Sequence, residues 1–173
     1  MTDPEPGRIS FDSFYRTEHL RVIRFLRSLG ASWEEAWDIS QYCCLTALER
    51  WDKISNPAPW IRTVVLNEYR YVRKRQADEL QRMLRGGWEP RPHFDKLDLC
   101  SEEAQVCDII ASLPPRQAEV MALTFDGYTP KEIAGILSKA YPEDGSITAD
   151  AVRASLYQAR EKLKRLLAGS REV

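Results

Sequence analysis

The sequence is poor in the residues that most often carry chemistry. It holds two histidines, His19 and His93, and neither sits in an H-E-x-x-H or His/Cys spacing, so both read as ordinary surface residues rather than catalysts. Its four cysteines are equally unsuited to metal. Cys43 and Cys44 are neighbours on a helix and cannot form a zinc knuckle, and Cys100 and Cys107 lack the short spacing of paired metal ligands. They read as buried thiols, with a redox role left open for Cys43 and Cys44. Glycine is scarce, and Gly86 and Gly87 stand alone rather than in a loop that could cradle phosphate. No catalytic group, no metal and no cofactor is expected, and the chain does not read as an enzyme.

Long apolar runs are missing as well. Nothing approaches the ~18 uninterrupted apolar residues of a membrane span, and "MTDPEPGRIS" has neither the charged start nor the apolar run of a signal peptide. The expectation is a cytoplasmic protein without membrane insertion. An excess of positive charge is also lacking: 25 Lys and Arg against 26 Asp and Glu leave a net charge of −1. Such a chain has no global attraction to nucleic acid, so DNA binding would have to come from local basic faces or from a larger partner. Strand-like alternation, internal repeats and low-complexity tracts are absent too.

What remains is helix nearly throughout. Phe11, Phe14, Tyr15, Val22, Phe25, Leu26 and Leu29 recur at three- and four-residue steps, with Gly30 at the expected C′ position. Ser32 and Glu35 form a capping box that starts a second helix, running from Trp33 to about Trp51. The prolines of "SNPAPW" interrupt it, and a third helix restarts near Pro59. Its apolar face is Ile61, Val64, Val65, Tyr69 and Val72, and its far side and end carry Arg62, Arg70, Arg73, Lys74 and Arg75.

"GGWEPRPHFDKLDLCS" has no helical period and reads as a linker over 86–101. Ser101 could cap the next helix, which holds Val106, Ile109 and Ile110, and another begins at "LPPRQAEVMALTF" and stops near Gly127. Thr129, Pro130 and Glu132 make a second capping box. The final helix is marked by Val152, Leu156, Ala159, Leu163 and Leu166, with Thr148 as N-cap. The expected fold is all-α: two small helical domains, 1–85 and 102–173, joined by a flexible linker, 86–101.

Two surfaces suggest binding. With Val152, Leu156 and Ala159 inward, Arg153, Ala154, Tyr157 and Gln158 share an outer face, and Arg and Gln can pair with guanine and adenine edges in a major groove. The segment from Asn56 through Trp60, Asn67, Arg70 and Tyr71 to Arg73 and Lys74 combines amides, aromatics and guanidinium groups, the set that holds unpaired bases and their phosphates. A solvated amphipathic helix accounts for either surface taken alone.

Taken together and in this order, the motifs resemble an RNA polymerase sigma factor of the extracytoplasmic-function class in the sigma-70 family, from about Phe11 to Leu167. "AWDISQ" is similar to the family's polymerase-docking motif, with Asp38 and Gln41 matching and Trp37 and Tyr42 where acidic residues are usual. "PWIRTVVLNEYRYVRKR" resembles its minus-ten helix, and "LPPRQAEVMALTFDGYTPKEIAGIL" followed by "AVRASLYQAREKLKRLL" resembles its helix-turn-helix. The resemblance implies a transcription initiation factor whose partners are core RNA polymerase and promoter DNA, with an anti-sigma factor as a further candidate. It implies polymerase docking by Asp38, Gln41 and Tyr42. It implies minus-ten binding by Asn56, Trp60, Asn67, Arg70, Tyr71, Arg73 and Lys74, and minus-thirty-five binding by Lys131, Arg153, Ala154, Tyr157, Gln158 and Arg160. The helix-turn-helix carries an enlarged turn, Ser138 to Ile147, whose Pro142, Glu143, Asp144 and Gly145 are expected to face solvent and point away from phosphate. The C-terminal helix pair alone would also suit a free-standing regulator that binds operator DNA without polymerase, and the apolar stripes would suit a helical interaction module with no DNA role.

Overall fold

A computed structural model of the chain describes residues 9–86 and 102–169, apart from the side chains of Leu167 and Gly169. The linker expected over 86–101 lies outside the described residues except for Gly86, as do His93, Cys100 and the Ser101 cap. All regular elements among the described residues are helical: α1 Phe11–Ser28, α2 Trp33–Glu49, α3 Pro57–Arg85, α4 Glu102–Ala111, α5 Pro115–Phe125, α6 Pro130–Ala140 and α7 Ala149–Gly169. Short 3₁₀ turns, Trp51–Lys53 and Pro142–Asp144, follow α2 and α6.

The helix ends form where the sequence predicts, for local reasons. Leu29 caps α1, and the bonds Gly30 N–H to Arg27 O and Ala31 N–H to Leu26 O close a Schellman motif. Gly30 sits at φ +93°, which a side chain would disfavour. The same pair of bonds ends α5 around Gly127. Ser32 and Glu35 make both bonds of their capping box, 3.1 and 2.8 Å, and Thr129 and Glu132 repeat the device at α6. Thr148 Oγ1 accepts from the Ala151 N–H at 3.2 Å, as an N-cap should.

Two boundaries and one buried position differ from expectation. The second helix stops at Glu49, and Trp51 begins the 3₁₀ turn instead. The third begins at Pro57, with two prolines in its first turn where their missing N–H groups cost nothing. Leu166, expected on the inner stripe of α7, is 43% exposed, because α7 outruns the helices it packs on.

The core is continuous from one half of the chain to the other. Helix α1 packs on α2 and α3 and also on α4 and α5, while α3 meets α6. This explains why Ile23, outside the predicted stripe, is as buried as Val22 and Leu26 within it. Arg62 is the largest correction. Placed by periodicity on the basic far side of α3, it is fully buried. Its Nε donates to Asp126 Oδ2 at 2.7 Å, and its Nη2 lies 3.0 Å from Glu18 Oε2. Arg21 closes the cluster, donating to Glu18 Oε1 at 2.9 Å and to the Asp126 carbonyl at 2.8 Å. Burial alone would lower the Arg62 pKa, but Asp126, Tyr128 and Glu18 hold it above its ordinary value, so the guanidinium stays charged.

Candidate nucleic-acid interface

The face of α3 starts at its N-terminus. Asn56 is the N-cap, yet its exposed side chain makes no capping bond, which leaves the amide available to a ligand. Trp60 is only half-exposed and packs against the core, so one side of the ring is already committed. Tyr71, 60% exposed, is the aromatic that α3 offers freely. Asn67, Arg70, Arg73 and Lys74 are exposed along the same helix. Arg73 lies 4.0 Å from Glu35 and over the Tyr69 ring at 5.8 Å. Burial would raise the Glu35 carboxyl, but hydrogen bonds from Ser32 and Gln76 and the charge of Arg73 hold it below the usual range, so it stays an anion beside Arg73.

Helix α7 keeps Val152, Leu156 and Ala159 buried and turns Arg153, Ala154, Tyr157, Gln158 and Arg160 outward. Arg153 pairs with Asp150 at 2.5 Å, and the Gln158 carbonyl accepts from Gln117 at 3.4 Å, so both side chains are partly pre-set. Lys131 is exposed in the first turn of α6. The turn between these helices runs only from Tyr141 to Thr148, and Ser138 Oγ bonds both the N–H and the carbonyl of Ile147 across it. Pro142 to Gly145 are exposed as expected. Their acids, however, are not free in solvent: Asp144 binds Arg116 at 2.5 Å and Glu143 binds Arg70 of α3.

On α2, Asp38, Gln41 and Tyr42 stand together and exposed, beside Leu45 and Leu48, which are 56% and 50% exposed. With Phe11, Tyr15 and Cys44 they line an open cleft of about 750 Å³. An apolar surface of this kind rimmed by polar groups suits a protein partner. Sequence reading missed how this face is backed. His19, expected at the surface, is buried: it shares a hydrogen bond with Ser40 (3.1 Å), stacks on Tyr15 and meets the edge of Trp37. Its i, i+4 spacing from Tyr15 was the available signal. Cys43, Cys44 and Cys107 are buried free thiols. Burial pushes the Cys43 and Cys44 thiols up, away from the reactive thiolate. Among the described residues no cluster of His, Cys, Asp and Glu could hold a metal, and no helix is long and apolar enough to cross a membrane.

Residues 14–78 match the family model for sigma-70 region 2, and residues 104–163 match that for sigma-70, region 4. No curated protein matches the sequence. Among solved structures the chain is similar to CnrH in complex with the cytosolic domain of CnrY, at 22% identity and a TM-score of 0.64, over 92% of this chain and 88% of that one. It is also similar to the sigma factor RpoE in complex with the anti-sigma factor NepR from Bartonella quintana, at 20% identity and a TM-score of 0.68, over 91% and 98%. At such identities the likeness is one of fold.

Proposed function

The chain belongs to the sigma-70 family, carrying its region 2 and region 4, and from that premise we propose how its surfaces divide the work. It is an alternative transcription initiation factor that directs core RNA polymerase to promoters. Residues 1–85 would form the polymerase-docking and minus-ten unit and residues 102–173 the minus-thirty-five unit. Region 2 followed by region 4, with the motifs described above, fits the extracytoplasmic-function class.

The observation that carries this reading is the presence of two separate exposed faces, on α3 and α7, that carry arginine, tyrosine and amide side chains, with an apolar face on α2 apart from both. Arg153 and Gln158 would pair with base edges in the major groove, Ala154 would meet a thymine methyl and Tyr157 a phosphate. Lys131 and Arg160 would hold backbone. Asn56, Asn67, Arg70, Tyr71, Arg73 and Lys74 would hold the opened minus-ten strand, with Trp60 closing one end and base stacking offsetting the cost of unpairing. Asp38, Gln41 and Tyr42 would dock on polymerase, whose own DNA affinity supplies what a net charge of −1 cannot. An anti-sigma partner, of the kind named for the RpoE complex, would act here by covering the α2 face or the DNA faces.

The test is transcription in vitro with purified core polymerase on a library of promoter fragments, with start-site mapping. The expected result is initiation from a discrete set of promoters only when the chain is present. If the chain shifted duplex DNA alone and supported no initiation, a free-standing regulator would be the better account.

A further inference from the structure

The enlarged turn is fastened to its own half of the chain and reaches across to the other. Tyr141 is buried, its hydroxyl donates to Glu119 at 2.5 Å, and Arg116 lies over its ring at 4.4 Å while binding Asp144. The segment Pro142–Asp144 is thereby held on α5. What it presents to α3 is the Glu143 carboxylate and the Tyr141 ring, and both engage Arg70, the ring at 5.1 Å from the guanidinium. Asn67, Tyr71 and Lys74 line the same cleft, with Lys139, Pro142 and Glu143 as its opposite wall. A second acid from the C-terminal half, Asp126, engages Arg62, about 12 Å along α3 from Arg70 at 1.5 Å per residue.

We propose that Asp126 and the inserted turn's Glu143 form an internal latch that holds the C-terminal half against α3 and occupies Arg70 of the minus-ten face until polymerase and promoter draw the halves apart. The inference rests on the assignment of α3 to the minus-ten strand made above. Glu143 gives the Arg70 guanidinium the same oxygen-acceptor chemistry as a DNA phosphate, so turn and promoter compete for one group. Opening leaves no stranded charge: Arg62 keeps Glu18, which lies in its own half, and Arg70 returns to solvent. Two arrangements of the same residues are therefore each electrostatically complete, as a switch requires. An acidic turn beside a DNA-reading helix is a disadvantage in the open complex unless it has a task in the closed one.

The test compares the full chain with its Asp126→Asn/Glu143→Gln variant. Small-angle scattering reads the separation of the halves, and fluorescence anisotropy reads binding to a labelled, mixed-sequence single strand at low salt. The wild type is expected to be compact, with a radius of gyration of about 16 Å, and to bind weakly. The variant is expected to expand and to bind about tenfold more tightly, while a charge-matched control, Asp12→Asn/Glu49→Gln, behaves as wild type. No change in either reading overturns the latch and leaves the sigma-factor reading to the transcription assay. Expansion without a gain in binding overturns the masking and counts against α3 as the strand-binding face. An equal gain in the control shows a plain charge effect and overturns the latch. Should the double variant fail to fold, Glu143→Gln alone, at an exposed position, is expected to gain about threefold, and no gain overturns the proposal.

Discussion

At the scale of single residues, Arg62 shows how far environment outweighs type. An arginine on a helix with other arginines reads as solvent-facing, yet here a guanidinium with no exposed surface is neutralised by Glu18 and Asp126. Removing one member of a buried ion cluster leaves an uncompensated charge, so Arg62→Ala is expected to cost about 3–5 kcal/mol, seen as a lower urea midpoint with the m-value unchanged. Arg75→Ala, on the exposed side of the same helix, should change stability by no more than about 0.5 kcal/mol. His19 is the other residue whose role only its neighbours reveal. Burial holds its pKa below the ordinary value, so the fold prefers the neutral ring. Its contribution is complete above about pH 6.5 and is lost as pH falls through the lowered folded value. The melting temperature should therefore decline between pH 7 and 5, and His19→Gln should flatten that decline. Glu35, also held low, would act only at more acidic pH.

At the scale of elements, helix ends were legible because their determinants are local. Ser32 with Glu35, Thr129 with Pro130 and Glu132, Gly30, Gly127 and Thr148 satisfy backbone groups within a few residues of themselves, so spacing alone reveals them. Inner and outer faces were legible along α7 from Val152 to Arg160, though not at Leu166, and less so in α1, which packs on four helices. The outer face of α7 bears a direct prediction. Arg153→Ala and Gln158→Ala should each reduce promoter-dependent initiation by about tenfold, since a base-edge pair discriminates by roughly 1–3 kcal/mol, with circular dichroism and melting unchanged. Helix α2 bears another. Leu45→Asp places a charge in an exposed apolar face and should weaken binding to core polymerase at least tenfold, measured by competition in gel filtration, without loss of fold. Restored binding on raising salt alone would argue that the face is electrostatic rather than apolar.

At the scale of the whole molecule, the halves that sequence reads as separate domains share one continuous core, through α1 against α4 and α5 and through α3 against α6. A near-neutral chain packed this way exposes the α2 face and the α7 face together while holding part of α3 against the turn. The free chain should accordingly bind duplex DNA only weakly. In a salt titration, log affinity against log salt should show a slope well short of that for a protein making six to ten phosphate contacts. A steep slope for the chain alone would mean that it does not need polymerase for affinity.

The sequence by itself determined the helical class, the helix boundaries to within a few residues, the motifs of the two regions and which residues of α7 face outward from Arg153 to Arg160, because these depend on periodicity, capping and spacing along the chain. Only the tertiary structure decided that Arg62 is a buried pin, that His19 backs the α2 face, and that Glu143 of the inserted turn reaches Arg70. The physical reason is distance in the chain: Asp126 and Arg62 are 64 residues apart and Glu143 and Arg70 are 73. Whether a charge ends in water or against its opposite depends on which helices pack together, and no local pattern encodes that.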